Sequence, residues 1–255
     1  VGKYCALRLG FRQVKGLRKE DMERLVTGIG NGYKSVQALR DVGMTEAILE
    51  RLADADAFRS MGFDRREALW KVSTKDHQKD SMFVAEDVRR DIEESVELPR
   101  MTLSEHVVHD YHALSLSVKA HPVSFLRDAL ESLRVCPANR LKDIRHGTVV
   151  RVAGLVLVRQ RPGTAKGVCF ITIEDETGSA NLVVFPDKFD QYRKEIIQSR
   201  LLMVQGKLQK EGEVIHVMAE RCFNVSGLLQ RLVPQEEDVG GIGTPSRADE
   251  TTSRP

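Results

Sequence analysis

The stretch Phe170-Ile-Thr-Ile-Glu-Asp-Glu-Thr-Gly178-Ser-Ala-Asn-Leu-Val-Val-Phe185 decides how the second half of this chain folds. Phe170, Thr172 and Glu174 fall on one side of an extended run, and Ile171, Ile173 and Asp175 on the other. Past an acidic Thr-Gly turn, Ala180, Leu182 and Val184 alternate with Asn181, Val183 and Phe185. A period of two on both sides of a turn is the pattern of a β-hairpin. A strand-like run, Val149 to Val158, precedes it, and a polar helix-like segment, Asp187 to Gln198, follows. Two further runs, Leu201 to Leu208 and Val214 to Val225, are joined by Glu211-Gly212-Glu213. Three strands, a helix and two strands is the order of a five-stranded OB-fold barrel, which binds oligonucleotides on one face.

The first half reads as helical. Val14-Lys-Gly16-Leu17 runs into Arg18-Lys-Glu-Asp-Met-Glu-Arg-Leu-Val26, and Ser60-Met-Gly62-Phe63 runs into Asp64-Arg-Arg-Glu-Ala-Leu-Trp-Lys-Val72. The two glycines are 46 positions apart, and Leu17, Met22 and Val26 correspond to Phe63, Ala68 and Val72. This is an internal repeat of a glycine turn entering a charged helix, the sequence form of a helix-hairpin-helix. Between the copies lie helical segments from Ser35 to Asp41 and from Thr45 to Ala55, the second with an apolar stripe of Ile48, Leu49 and Leu52. Glycine lets a tight turn present its amides, and the following helix adds a positive end, so each turn forms a seat for a phosphate. Lys15, Gly16, Arg18, Lys19, Arg59, Gly62, Arg65 and Arg66 are the candidate duplex-binding residues. Such contacts position DNA without reading its sequence.

These patterns divide the chain into a hairpin domain at 1–74, a connector at 75–146, a barrel at 147–233 and a tail from 234. The fold class is α+β. The four blocks carry formal net charges of +4, −2, +3 and −3, so the basic excess lies in the two candidate nucleic-acid modules. The tail is rich in Gly, Ser, Thr, Asp and Glu and is expected to be disordered. On the barrel, Arg159, Arg161 and Lys166 in the first inter-strand loop, and Lys207 and Lys210 near the last turn, are placed to follow a single strand. Phe170 either stacks a base or belongs to the core, and Phe185 is expected in the core. Aromatics at 5% favour electrostatic single-strand binding over an extended stacking platform.

Other functions are excluded or disfavoured. No apolar run approaches the ~18 residues of a membrane span. Four scattered cysteines with no C-x-x-C pair read as reduced thiols, which suits the cytoplasm. His106, His109 and His112 are spaced three apart, but no further ligand completes a metal site, so no metal is assigned. Glu174, Asp175 and Glu176 are expected to form a solvated acidic turn, and no residue is assigned a catalytic role.

Several segments resemble a known family. Leu7-Arg-Leu-Gly-Phe-Arg-Gln-Val-Lys-Gly-Leu17, Leu114-Ser-Leu-Ser-Val-Lys-Ala-His-Pro122, and Leu155 through Phe170 on to Glu174-Asp-Glu-Thr-Gly178 are similar to the bacterial C-family DNA polymerases. The wording of Phe11-Arg-Gln-Val-Lys-Gly-Leu17 and Arg159-Gln-Arg-Pro162 is closest to the error-prone, damage-induced branch, a paralogue of the replicase α subunit. The resemblance spans roughly residues 4–232. It implies a role in damage-induced mutagenesis and translesion synthesis, with a polymerase core upstream of Val1 and accessory mutagenesis proteins as partners. The paired aspartates that hold Mg²⁺ would lie in that core, so no cofactor is assigned to this fragment, which is expected to extend no primer alone. The alternative is a non-catalytic module that recruits accessory proteins. Gln78-Lys-Asp-Ser-Met-Phe83 resembles the replicase's sliding-clamp peptide but has one residue more before Met-Phe, so weak or no direct clamp binding is expected.

Overall fold

The computed structural model describes residues 8–30, 32–73 and 98–232. The clamp-like segment and the tail lie outside the described residues. The first part is a cluster of four helices: α1 (Lys19–Thr27), α2 (Val36–Asp41), α3 (Glu46–Asp54) and α4 (Arg65–Ser73). Ser35 caps α2 by accepting from the Ala38 amide at 3.2 Å. Ile48, Leu49 and Leu52 of α3 are buried and pack with Leu25, Leu39, Phe58, Ala68 and Val72.

The internal repeat is structural. A short 3-10 turn precedes each glycine, Phe11–Gln13 before Gly16 and Ala57–Met61 before Gly62. Both glycines have positive φ, +78° and +84°, where a β-carbon is strained. Each following helix is closed the same way. The Arg18 amide donates to Asp21 Oδ2 at 3.3 Å, and the Asp64 amide to Glu67 Oε2 at 3.0 Å. One correspondence fails: Val72 is fully buried, whereas Val26 is 59% exposed and Leu25 takes the core position instead.

Residues 98–146 do more than connect. They hold α5 (Leu103–Leu114) and α6 (Arg127–Ser132). Val123, Leu126, Leu130 and Val135 share a core with Ala153, Leu201, Met203 and Leu232. On the other side, Ala113 and Leu114 pack with Val14.

The barrel comprises β1 (Val149–Gln160), β2 (Cys169–Asp175), β3 (Gly178–Val184), α7 (Pro186–Gln191), α8 (Arg193–Gln198), β4 (Leu201–Glu211) and β5 (Val214–Asn224). The expected single helix after β3 is broken at Tyr192 into two short ones. The strands close in the order β1-β2-β3-β5-β4, with β3 and β5 parallel and every other pair antiparallel. β1 serves two neighbours, β4 along Val149–Leu155 and β2 along Leu155–Gln160. A bulge at Leu157 bends it between them. Ile171, Ile173, Leu182, Val184, Leu202, Val204 and Val217 fill the interior. Each is worth roughly 1.5–3 kcal/mol on burial.

The acidic turn expected to be solvated is only partly so, with Glu174 and Glu176 half-buried. Asp175 is buried. Its Oδ1 accepts from the Thr177 amide at 2.8 Å, the Thr177 hydroxyl at 2.6 Å and the Gly178 amide at 3.1 Å, an Asx turn that sets the hairpin. Its Oδ2 accepts from the Ala138 amide at 2.9 Å and from Arg127 at 3.1 Å. Arg127 also grips Glu176 at 2.6 and 2.7 Å. The cluster therefore fastens the connector to the barrel.

Candidate nucleic-acid interface

Around the hairpin turns, most of the candidate cations are already occupied. Arg65 is 0% exposed. Its guanidinium pairs with Asp110 and donates to the His106 carbonyl at 3.0 Å. It cannot meet a phosphate, and its assignment as a DNA contact is corrected to a structural ion pair. Arg66 donates to the Pro99 carbonyl at 2.7 Å and pairs with Glu105 at 2.8 Å. Arg59 is held by Asp56 at 2.8 Å and Asp64 at 3.4 Å. The Lys15 ammonium caps the C-terminal end of α5 through the Tyr111 and His112 carbonyls at 3.1 and 2.7 Å. A cation suits that end of a helix dipole.

Arg18 and Lys19 remain on the exposed first turn of α1, where Lys19 makes only an open 3.5 Å pair with Glu23. Sequence reasoning missed Arg51. This exposed α3 residue donates to the Gly16 carbonyl at 2.5 Å, and its guanidinium lies 3.0 Å from where a Gly16 β-carbon would be. The first turn thus carries a cation brought from 35 residues away. Among the described residues, nothing lies within 4 Å of the corresponding position at Gly62.

The histidines are structural as well. His109 and His112 share Asp54, at 2.8 and 3.4 Å. Those contacts hold the Asp54 carboxyl below its ordinary range against the opposing effect of burial. His106 lies against Arg65 and Arg59, and burial and the neighbouring Arg65 charge push its pKa down. Among the described residues, no group of three or more His, Cys, Asp or Glu side chains is arranged to hold a metal ion.

On the barrel, Arg159 donates to the Ile196 carbonyl at 2.7 Å and to that of Ser199, tying β1 to the end of α8. Arg161 lies 4.5 Å above the Phe189 ring and donates to the Gly167 carbonyl at 3.0 Å. Lys210 donates to the Lys142 carbonyl at 2.5 Å. Lys166, Phe170 and Lys207 remain on the surface. Phe170 is 39% exposed, so it faces outward from the barrel rather than into the core.

The strand register puts Phe170 and Lys207 in line. Phe170 pairs with Val183, Val183 with Met218, and Met218 with Lys207. This row crosses four strands, about 14 Å at ordinary strand spacing. One rung away, Thr172, Asn181, His216 and Gln209 form a parallel polar row. Phe185, expected in the core, is 45% exposed. It lines a cleft with Lys188, Lys207, Met218 and His146 beside the first row. An aromatic, a thioether, lysines and neutral polar groups on one barrel face suit stacked bases with a phosphate at the margin.

Comparison with known proteins agrees with this architecture. A family model described as an OB-fold nucleic acid binding domain matches residues 150–225, and one described as a helix-hairpin-helix motif matches residues 2–68. The chain is 47% identical over 250 residues to Error-prone DNA polymerase 1 of Rhizobium meliloti (strain 1021), covering 96% of this chain and 22% of that protein. It is 44% identical over 253 residues to the error-prone DNA polymerase of Ruegeria pomeroyi, covering 98% of this chain and 23% of that protein. The chain matches the C-terminal portion of the error-prone DNA polymerases. It spans less than a quarter of the length of these relatives. Among solved structures, asparaginyl-tRNA synthetase from Pyrococcus horikoshii matches 36% of this chain and 23% of its own, at 22% identity and a TM-score of 0.31. That likeness is too slight to bear on function. No helix among the described residues is long and apolar enough to cross a membrane.

Proposed function

We propose that this chain grips primer–template DNA for an error-prone polymerase acting in damage-induced translesion synthesis. The hairpin helices hold duplex phosphates at Gly16, Arg18, Lys19 and Arg51, with Gly62 as the second seat. The barrel holds the single-stranded template along Phe170, Met218 and Lys207, over the buried Val183, with Lys166 at its margin. The observation that carries this reading is the outward row itself, an aromatic and a lysine aligned on a closed barrel, in a chain similar to error-prone DNA polymerases. Mg²⁺ and nucleotidyl transfer belong to a polymerase core outside this sequence. Given Mg²⁺, dNTPs and primed template, the chain alone is expected to extend nothing.

A second reading, a recruitment module for accessory proteins, is favoured by the exposed Leu157, Val158 and Phe185 near the same face. Equilibrium binding of the 255-residue chain to primer–template and to single-stranded DNA, at two salt concentrations, separates the two. The log–log salt slope is expected to be roughly −2 to −5, at about −0.9 per duplex phosphate neutralised. Phe170→Ala should weaken single-strand binding by about 1–3 kcal/mol and leave duplex binding in place. DNA binding that is absent, or indifferent to salt, overturns the proposal in favour of recruitment.

A further inference from the structure

We propose that the cleft beside the stacking row is a second base-binding subsite, which takes one unpaired nucleobase turned off the line of the row and stacks it on Phe185. This rests on the single-strand role proposed above and extends the path of the strand toward α7.

The cleft measures about 390 Å³ and lies where the start of α7 meets β4 and β5. That is the small end of the roughly 300–1,000 Å³ span of small-ligand pockets, so it suits one nucleotide unit and not a helix. Met218 and Lys207 line the cleft and also belong to the row, so a strand lying on the row passes its mouth. Phe185 supplies a further π-face. It lies two residues along extended backbone from Val183, about 7 Å, and is 45% exposed. Its backbone is fixed, because Pro186 opens α7 and the Phe189 amide donates to the Phe185 carbonyl at 2.8 Å. A platform fixed in advance costs little further ordering on binding.

Charge decides between a base and a phosphate. Lys188 and Lys207 line the cleft, but so do Asp187 and Glu220. Lys188 already leans toward Asp187, at 3.9 Å. The formal charges of these four cancel, so a phosphate gains little there. A base is neutral, and its edge carries both donors and acceptors, which a rim of mixed sign can meet. His146 adds a donor to that rim. Its Nδ1 accepts from the Lys210 amide at 3.2 Å, so the neutral ring carries its proton on Nε2. An apolar anchor from a protein partner would meet the same charged rim, which is poorly suited to a desolvated hot spot.

The test measures dissociation constants of the 255-residue chain for dT oligonucleotides of about 4 to 16 nucleotides, the range of site sizes for one OB-fold. Phe185→Ala should weaken the longest by about tenfold and leave the shortest within about twofold, because a short strand occupies the row alone. Phe185→Tyr keeps the π-face and should retain affinity. Phe185→Leu keeps apolar bulk without a π-face and should behave as the alanine variant. The factor lost should be equal at two salt concentrations, since the cleft neutralises no phosphate. Phe170→Ala should weaken every length. Phe185 stands outside the barrel core, so the melting temperatures of its variants should match that of the unmodified chain. Affinity unchanged by Phe185→Ala, or lost equally at every length, with Phe170→Ala still damaging, overturns the subsite and leaves the row standing. A loss that shrinks as salt rises overturns it in favour of a phosphate seat. A loss that Phe185→Leu does not share overturns it in favour of plain apolar packing. Binding insensitive to both Phe170→Ala and Phe185→Ala overturns the single-strand role itself.

Discussion

Arg65 places its guanidinium between Asp110 and the His106 carbonyl, where α4 meets α5. Lys119 and Ser117 complete the shell, at 3.1 Å and 2.7 Å from Asp110. Two charges removed from water depend on their contacts, so deleting Arg65 leaves the buried Asp110 with only Lys119 and Ser117 to offset its desolvation. Arg65→Ala is expected to lower stability by about 3–5 kcal/mol in urea unfolding. Arg66, one position later, pairs with Glu105 at the surface, and Arg66→Ala should cost only about 0–1 kcal/mol. Equal losses in the two variants would contradict this assignment. Neighbouring arginines in one sequence motif thus perform different work, because the helix turns one inward and leaves the other at the rim.

At the scale of elements, two glycines allow the barrel to close. A β-carbon on Gly206 would lie 2.0 Å from the Met218 carbonyl oxygen, and one on Gly154 would lie 2.5 Å from that of Glu174. Both obstacles are strand backbone, so relief requires β4 to part from β5, or β1 from β2. Gly206→Ala is expected to cost about 3 kcal/mol, the upper end of ordinary overpacking. Gly163→Ala, in open space, should change stability by less than about 0.5 kcal/mol. Chemical denaturation of the two variants checks the contrast. Strands β2 and β3 and the start of α2 were legible in the sequence because their signals are local: alternation, and a cap at Ser35. The break at Tyr192 and the exposure of Val26 were not, since each depends on what packs against the helix. The candidate site divides in the same way. Alternation set Phe170 opposite Ile171 but left open which of the two sides was the core, and Arg51 reaches Gly16 only through the packing of α3. The partners of Arg159 and Lys210 likewise come from 37 and 68 residues away, beyond any local pattern.

Across the whole molecule, charged contacts join the three parts. Lys119 bridges Asp56 of the hairpin region and Asp110 of α5, at 3.0 and 3.1 Å, and Arg127 bridges the connector to Asp175 and Glu176. The linkage to pH follows. Burial pushes the His106 and His121 pKa values below their ordinary 6.5. The unfolded chain therefore binds more protons than the folded one once the pH drops below about 6.5, and stability declines as acid is added. Burial raises the Asp175 carboxyl, but hydrogen bonds from Thr177 and the Ala138 amide, with the Arg127 charge, outweigh it and hold the group below 3.8. Its contribution is present above about 3.8 and disappears as the pH falls through the lower folded value. Asp54 and Asp56 are lowered as well and act in the same direction. Melting temperature should thus fall in two stages, first between about pH 6.5 and 5 and then below about pH 4. Substituting His106 and His121 together with Gln should remove the first stage and retain the second. Scanning calorimetry from pH 7.5 to 3 measures both. A melting temperature that holds constant or rises between pH 7.5 and 5 would show that these histidines are not stabilised in their neutral form, and that the hairpin–connector contact does not depend on their charge.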